Sequence, residues 1–425
     1  MQIAIVGTGI SGLYTGHRLH ADHDITLYEA KSCVGGHSHT VDVELAGHRL
    51  AIDTGFIVFN EPNYPRFTAM LDTLNVPHQA SDMSFSYSCR ETGLEYRGGP
   101  WLVGLFAQRI NLLRPSFHRM LRGILRLNSY AEELATSSPE LSLGEFLAER
   151  RLDGPAVDNY LLPMAGAIWS AEPSSILDFP ARQFGTFFCN HGLLQVRNRV
   201  VWRTVSGGSR EYVKALTAGF RDRIHLATPV EWIQRLGDQV LLKARGKSPR
   251  RFDAVVLACH SDQALRLLRD PSEAERDILG AIPYQPNETV LHTDTRLLPA
   301  RRKAWAAWNY HRLGDPAGRA TVTYNLTTLQ SLPTDTQFLV TLNTTHAIDP
   351  TQVIARMVYD HPVFNRESLS AQQRVAEING GRRTFYCGAY WGYGFHEDGV
   401  NSSIAACDAI EKDLGHQELY LQRTG

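Results

Sequence analysis

The chain has 425 residues, 43% hydrophobic and 20% charged, which provides ample core for two to three domains and excludes disorder over most of its length. Lys and Arg number 43 against 44 Asp and Glu, a formal net charge of −1 that argues against a general nucleic-acid-binding role. No apolar run approaches the roughly 18–20 residues of a spanning helix. The six cysteines form no Cys-x-x-Cys pair, and no basic leader precedes the first apolar stretch, so a cytoplasmic location is expected.

In chain order, Ile3 to Val6 reads as a short buried strand. Gly7-Thr8-Gly9-Ile10-Ser11-Gly12 follows, then a helical stretch to about His20 and a second strand, Asp24 to Tyr28, ending at Glu29. This is the strand–turn–helix–strand order of a dinucleotide-binding unit. Gly7 permits the tight turn, Gly9 lets the backbone approach a pyrophosphate, and Gly12 lets helix and strand pack closely. The helix N-terminus offers unpaired N–H groups and a positive dipole end. Glu29 lies 20 residues beyond Gly9, where an acid accepts ribose hydroxyls and disfavours NADP.

Beyond this unit come Ala30, Gly35-Gly36-His37, and Ile52-Asp53-Thr54-Gly55-Phe56-Ile57, a strand ending in a turn. Further on lie Ile224 to Val230, a strand Phe252 to Leu257 ending at Ala258-Cys259-His260, and Phe385 to Val400 followed by a helical run from Ser402 to Leu414. On these segments the chain resembles the flavin-containing amine oxidase and phytoene desaturase superfamily over essentially its whole length. The resemblance implies an α/β architecture: a Rossmann-like FAD domain of the glutathione-reductase type with an inserted mixed-sheet and helical substrate domain. The FAD domain would comprise about 1–75, 200–262 and 380–425, and the substrate domain 76–199 and 263–379. In the second insertion, Thr289 to His292, Thr321 to Leu326 and Phe338 to Leu342 read as strands of one sheet.

The resemblance implies FAD as cofactor. Its contacts would come from Gly7, Gly9, Ile10, Ser11, Gly12, Glu29, Ala30, Gly35, Gly36, His37, Gly55, Phe56, Ile57, Val230, Ala258, Gly388, Glu397, Gly399 and Val400. The closing helix would aim N–H groups near Gly399 and Val400 at the flavin C2 carbonyl and N1. The superfamily usually carries Arg after the Gly-Gly pair. This chain has His37, which as a neutral imidazole donates one hydrogen bond in place of a salt bridge. No metal is expected.

Many amine oxidases of the superfamily hold a water near flavin N5 with a Lys on the strand matching Asn287 to His292, and that strand has no Lys here. Phe395 occupies the position of one aromatic that flanks the amine in such enzymes. Tyr390, Trp391 and Tyr393 are further aromatics nearby, facing substrate or packing under the flavin. Candidate bases are His292, His396 and Glu397.

The runs Gly36 to Thr40, Asp53 to Asn60, Asn190 to Leu194, Trp202 to Ser209 and His396 to Gly399 resemble one bacterial group of amine-oxidase-like proteins. That group accompanies cyclopropane-fatty-acid-synthase-like methyltransferases, and a similar flavoprotein desaturates methyl-branched acyl chains on the way to furan fatty acids. The resemblance therefore implies hydride transfer from a lipid acyl chain to flavin N5, with an apolar small-molecule substrate and a methyltransferase as partner. The alternatives are an amine oxidase producing hydrogen peroxide, a FAD-containing non-redox lipid hydratase or isomerase, and a flavin-binding protein without turnover.

From Tyr96 to Ala131 there is no acid, but there are Arg97, Arg109, Arg114, Arg119, Arg122 and Arg126. In the helical part, Arg119, Arg122 and Arg126 share one face, and Phe117, Leu121, Ile124 and Leu125 the other. The stretch 96–131 reads either as a phospholipid contact on the inner face of the membrane or as an ordinary helix with its apolar side in the core. Oligomeric state is left open.

Overall fold

The computed structural model describes residues 1–98, 102–195, 200–312 and 321–424, with the side chains of 102–103 and 413–424 left aside. Residues 99–101 of the basic stretch, 196–199 at the end of the first insertion, 313–320 within the second, and Gly425 lie outside the described residues.

The opening strand Gln2–Val6 is apolar on both faces because it sits at the centre of a five-stranded parallel sheet. The sheet order is Thr384–Tyr386, Ala254–Leu257, Gln2–Val6, Asp24–Tyr28, Ile224–His225. Its register pairs Ile3 with both Ile25 and Ala254. The helix Ile10–Leu19 crosses between the first two strands, and the closing helix His396–Thr424 packs beside it. Ile3, Ile5, Leu13, Leu27, Val256, Phe385 and Val400 meet in the core beneath these helices.

A second, seven-stranded sheet is mixed. Its order is Val353–Pro362, Tyr284–His292, Leu339–Leu342, Val322–Asn325, Trp308–Arg312, Phe85–Cys89, Leu94–Gly98. All neighbours are antiparallel except Trp308–Arg312 and Phe85–Cys89, where the two inserted segments meet in parallel. Helices between residues 102 and 190 cover the space between this sheet and the closing helix, around a core rich in Trp169, Phe179, Phe184, Phe187 and Phe188.

One expectation is corrected. Residues of 263–379 were assigned to the substrate portion, but Leu268, Ile278, Leu279, Ala371 and Ile378 pack into the core of the parallel sheet with Val6, Leu257 and Tyr386. A buried ion pair ties the same region together. The Arg235 guanidinium, 1% exposed, meets Glu275 at 2.6 and 2.9 Å and Asp270 at 2.9 Å. The Tyr386 hydroxyl donates to Glu275 as well. Among the described residues no helix is long and apolar enough to cross a membrane.

Candidate active site

The site is one cavity of ≈ 710 Å³ running from the glycine turn at the top of the parallel sheet to the inner face of the mixed sheet. The turn sits where the opening strand ends. Gly7 has φ +103°, and a Cβ there would lie 2.7 Å from the Ala258 carbonyl oxygen, so only glycine fits. Gly9 is the residue before the helix, and a Cβ on it would meet no protein atom within 4 Å. The open space beside Gly9 therefore belongs to the cavity and lies at a helix N-terminus, where a phosphate is favoured. Gly36 faces it so closely that its Cβ would be 3.0 Å from the Gly9 Cα.

Glu29 closes the second strand. Its Oε2 accepts from the Thr8 N–H at 3.0 Å and from the Thr8 hydroxyl, and its Oε1 accepts from the Lys31 N–H at 2.8 Å. Oε1 keeps accepting capacity for ribose hydroxyls. The Gly35 N–H donates to the Thr8 carbonyl at 2.9 Å, which pins the Gly-Gly loop to the glycine turn. Ile10, Ser11, Ala30, Gly55, Phe56, Ile57, Val230, Ala258 and Gly388 line the same cavity. The donor set, the two facing glycines and the acid fit a dinucleotide of the FAD type.

His37 lies on the cavity within ring-contact distance of three other rings: Tyr359 at 4.9 Å, His361 at 5.4 Å and His260 at 6.4 Å. Burial holds its imidazole well below the usual range, and the neighbouring His361 and His260 add to that, so it is neutral. The pyrophosphate end thus receives no salt bridge from this position. Sequence reasoning did not find His260 and His361, because they come from segments far from His37 in the chain.

Five expected site residues, Gly12, His292, Glu397, Gly399 and Val400, do not face the cavity. Gly12 packs the helix onto the turn, and a Cβ there would lie 2.0 Å from the Gly7 oxygen. Gly399 packs against the cradle helix, with its Cβ position 2.8 Å from an Ile10 methyl, and its N–H is bonded to the Phe395 carbonyl. Val400 is fully buried in the core. The closing helix begins at His396, so the N–H groups left unpaired by helix geometry belong to its first turn, ahead of Gly399.

Two candidate bases are corrected. Glu397 accepts the Arg66 and Phe67 N–H groups at 3.1 and 2.9 Å and so caps the helix Pro65–Thr73. His292 lies on the opposite face of its strand from Thr289, which lines the cavity beside Leu342, while Tyr284 lines it at the far end of the strand. It is fully buried, bonded to the Thr341 hydroxyl at 2.7 Å and accepting from the Asp294 N–H at 3.0 Å, and burial lowers its pKa to about 4.

His396 and Phe395 do line the cavity. The His396 ring stacks on Phe56 at 3.6 Å. Its Nε2 lies 2.8 Å from the Tyr212 hydroxyl and 3.1 Å from the Ser38 hydroxyl, and those two hydroxyls are bonded to each other. Burial lowers the His396 pKa to about 3. It is therefore a neutral, fixed imidazole at the start of the closing helix and a poor proton acceptor near pH 7. Tyr212 and Ser38 are its positioning partners, and nothing local in the sequence joins them.

The far arm of the cavity is apolar and aromatic. Ile168, Trp169 and Phe187 come from the helical layer, Trp308, Tyr324 and Leu342 from the mixed sheet, and Phe395 stacks on Phe187 at 5.3 Å. Among the described residues, the charged ones lining the cavity are Glu29, Lys31, Arg266 and Asp360, none from the helical layer or from the sheet's inner strands.

Solved structures of similar fold cover almost the whole chain. Cyclohexylamine oxidase from Brevibacterium oxydans IH-35A matches with TM-score 0.68 at 15% identity, over 97% of this chain and 99% of that one. A putrescine oxidase bound to putrescine matches with TM-score 0.68 at 15% identity over 97% and 99%. A fatty acid isomerase from P. acnes described as CLA-producing matches with TM-score 0.68 at 18% identity over 96% and 98%. At such identities the likeness concerns the fold. No curated protein matches the sequence. The family described as flavin-containing amine oxidoreductase matches residues 10–325, about three quarters of the chain. The chain belongs to that family and is an FAD-dependent oxidoreductase.

Proposed function

We propose that the protein dehydrogenates a lipid acyl chain, such as a methyl-branched fatty acyl group. The observation that carries this reading is the far arm of the cavity. Among the described residues, its lining from the helical layer and the inner strands holds no charged side chain. An ammonium group drawn into such an arm would lose its hydration without gaining a counter-ion, which is strongly unfavourable. An acyl chain gains about 25 cal/mol for each Å² of apolar surface it removes from water. The strand that faces the arm offers Thr289, and no lysine, toward the cavity.

When bound, FAD would supply the two-electron oxidant, taking up the hydride and, by way of solvent, the proton lost from the adjacent carbon. The chain's residues supply the rest. Trp308, Tyr324 and Phe187 hold the acyl chain by contact, and Phe395 closes the arm beside the first turn of the closing helix. Packed aromatic walls exclude water from the reacting carbon. The Tyr212–Ser38–His396 group fixes that first turn without placing a charge there.

A similar fold carries a fatty acid isomerase as well as amine oxidases, which supports lipid chemistry on this scaffold. Mass spectrometry of an anaerobic single turnover with methyl-branched phospholipids tests the proposal. A product lighter by two hydrogens, about one per flavin, is the expected result. An unchanged mass with a moved double bond, or a mass increased by one water, would replace dehydrogenation with isomerisation or hydration.

A further inference from the structure

We infer that the turn Arg109–Leu113 and the exposed side of the following helix, Pro115–Ser129, dock on an anionic phospholipid surface. The helix alone does not carry this. Its apolar face is occupied: Phe117 and Met120 are buried, and Leu121 and Ile124 pack in the core under the mixed sheet. The turn before it has the reverse of a soluble surface pattern. Its polar residue points in: Asn111 is fully buried and donates to the Glu95 carbonyl at 2.9 Å. Its apolar residues point out: Ile110 is 53% exposed, Leu112 54% and Leu113 81%.

Leu125 was expected in the buried face of the helix. It is 61% exposed, on the arginine side. Four of the eight exposed large apolar side chains among the described residues fall in these sixteen positions, so they form a cluster and not a scatter. The turn is held in this form. His118 Nε2 lies 2.8 Å from the Leu112 carbonyl, and the Arg114 guanidinium reaches the Gly93 carbonyl and the Gln108 side chain.

Charge settles which apolar partner fits. Arg109, Arg119 and Arg122 are exposed, and among the described residues they pair with no carboxylate. No acidic residue occurs between Tyr96 and Ala131. Apolar side chains ringed by unpaired guanidinium groups match a headgroup layer bearing phosphate, with leucines entering the acyl boundary. The docking side is also joined to the substrate arm. Phe117, Met120 and Leu121 share one packed cluster with Met83, Trp202, Trp308 and Tyr324, which line the cavity.

The proposal deepens the acyl-chain reading, and its test separates the two. The FAD-loaded full-length protein is sedimented with vesicles of phosphatidylglycerol and phosphatidylcholine, and with phosphatidylcholine alone. Binding to the anionic vesicles is expected, at least about tenfold stronger than to neutral ones and weakened by high salt. Leu112→Ser with Leu113→Ser, and separately Arg119→Glu with Arg122→Glu, should each lower it about tenfold or more with an unchanged flavin spectrum. Absence of binding by the unaltered protein, or equal binding by both variants, would overturn the inference. Self-association lost in the leucine variant, without vesicle binding, would overturn it too and assign the surface to a second copy. Docking without flavin reduction by any acyl lipid would leave this inference standing and sink the proposed substrate.

Discussion

Glu29 shows how one side chain serves two tasks at the cofactor site. Three donors hold its carboxylate, from Thr8 and Lys31, and its remaining accepting capacity faces the cavity. Removing it costs the anchor of the glycine turn and, with FAD placed in this cavity as proposed, the ribose acceptor. Hydrogen bonds to a charged group are worth about 1.5–3 kcal/mol each. Glu29→Ala should therefore weaken FAD binding by about tenfold or more, read by flavin fluorescence titration of the apoprotein. Unchanged affinity would show that the acid only supports the turn. This residue and the glycines were legible because their chemistry depends on local spacing: a turn, a helix start and a strand end within 30 residues. Glu397 was not legible as a cap. Its partners, the Arg66 and Phe67 N–H groups, lie some 330 residues away. A carboxylate inside a flavin motif reads as a base until the helix it caps is seen.

Strand parity decides the role of whole elements. In Tyr284–His292, Thr289 pairs with Leu342 on the cavity side, while Val290 and His292 share the other face with Thr341. His292→Gln should thus leave the rate of flavin reduction within about twofold, and lower stability by about 1–3 kcal/mol through its lost buried hydrogen bonds. A loss of reduction with intact stability would return His292 to the chemistry. Alternation in the sequence marks which residues share a face. It does not say which face meets the cavity, because that follows from register with a strand about fifty residues away. The element that joins the parallel sheet to its neighbours depends on Arg235. Because Glu275 is 4% exposed in its side chain, Arg235→Ala leaves a buried carboxylate without its partner. The expected cost is about 3–5 kcal/mol in chemical denaturation. A loss under 1 kcal/mol would mean that water or Arg382, which also bonds Asp270, replaces it.

At the scale of the whole molecule, buried imidazoles dominate the response to acid. Burial lowers His191, His292, His311 and His361 to about 4 and His396 to about 3, from an ordinary value of 6.5. Their folded pKa values lie below the unfolded ones, so the unfolded chain binds more protons between these limits. Stability is full above pH 6.5 and falls as pH drops toward 4, by up to about 1.4 kcal/mol per pH unit for each group. Burial raises Asp53 to about 6 and Asp398 to about 7, which acts in the opposite sense and offsets two of the five. The holoprotein's Tm should therefore decline from pH 6.5 to 5 and stay nearly level from 7 to 8. A rise in Tm on acidification would contradict the neutral-imidazole picture.

The whole-molecule architecture was legible through the two cofactor motifs at the chain ends. The closing of the mixed sheet was not, because Phe85–Cys89 and Trp308–Arg312 pair across more than 200 residues of intervening chain. Nor was the arm itself, since Phe187, Trp308 and Tyr324 carry no shared spacing. On the proposed reading, the arm's chemistry selects the substrate. The measurement that tests this most directly is an anaerobic visible spectrum of the purified protein, titrated first with methyl-branched phospholipid and then with putrescine and cyclohexylamine. The account predicts bleaching of the oxidised flavin bands by the lipid and none by the amines. Bleaching by an amine, with the lipid inert, would contradict it.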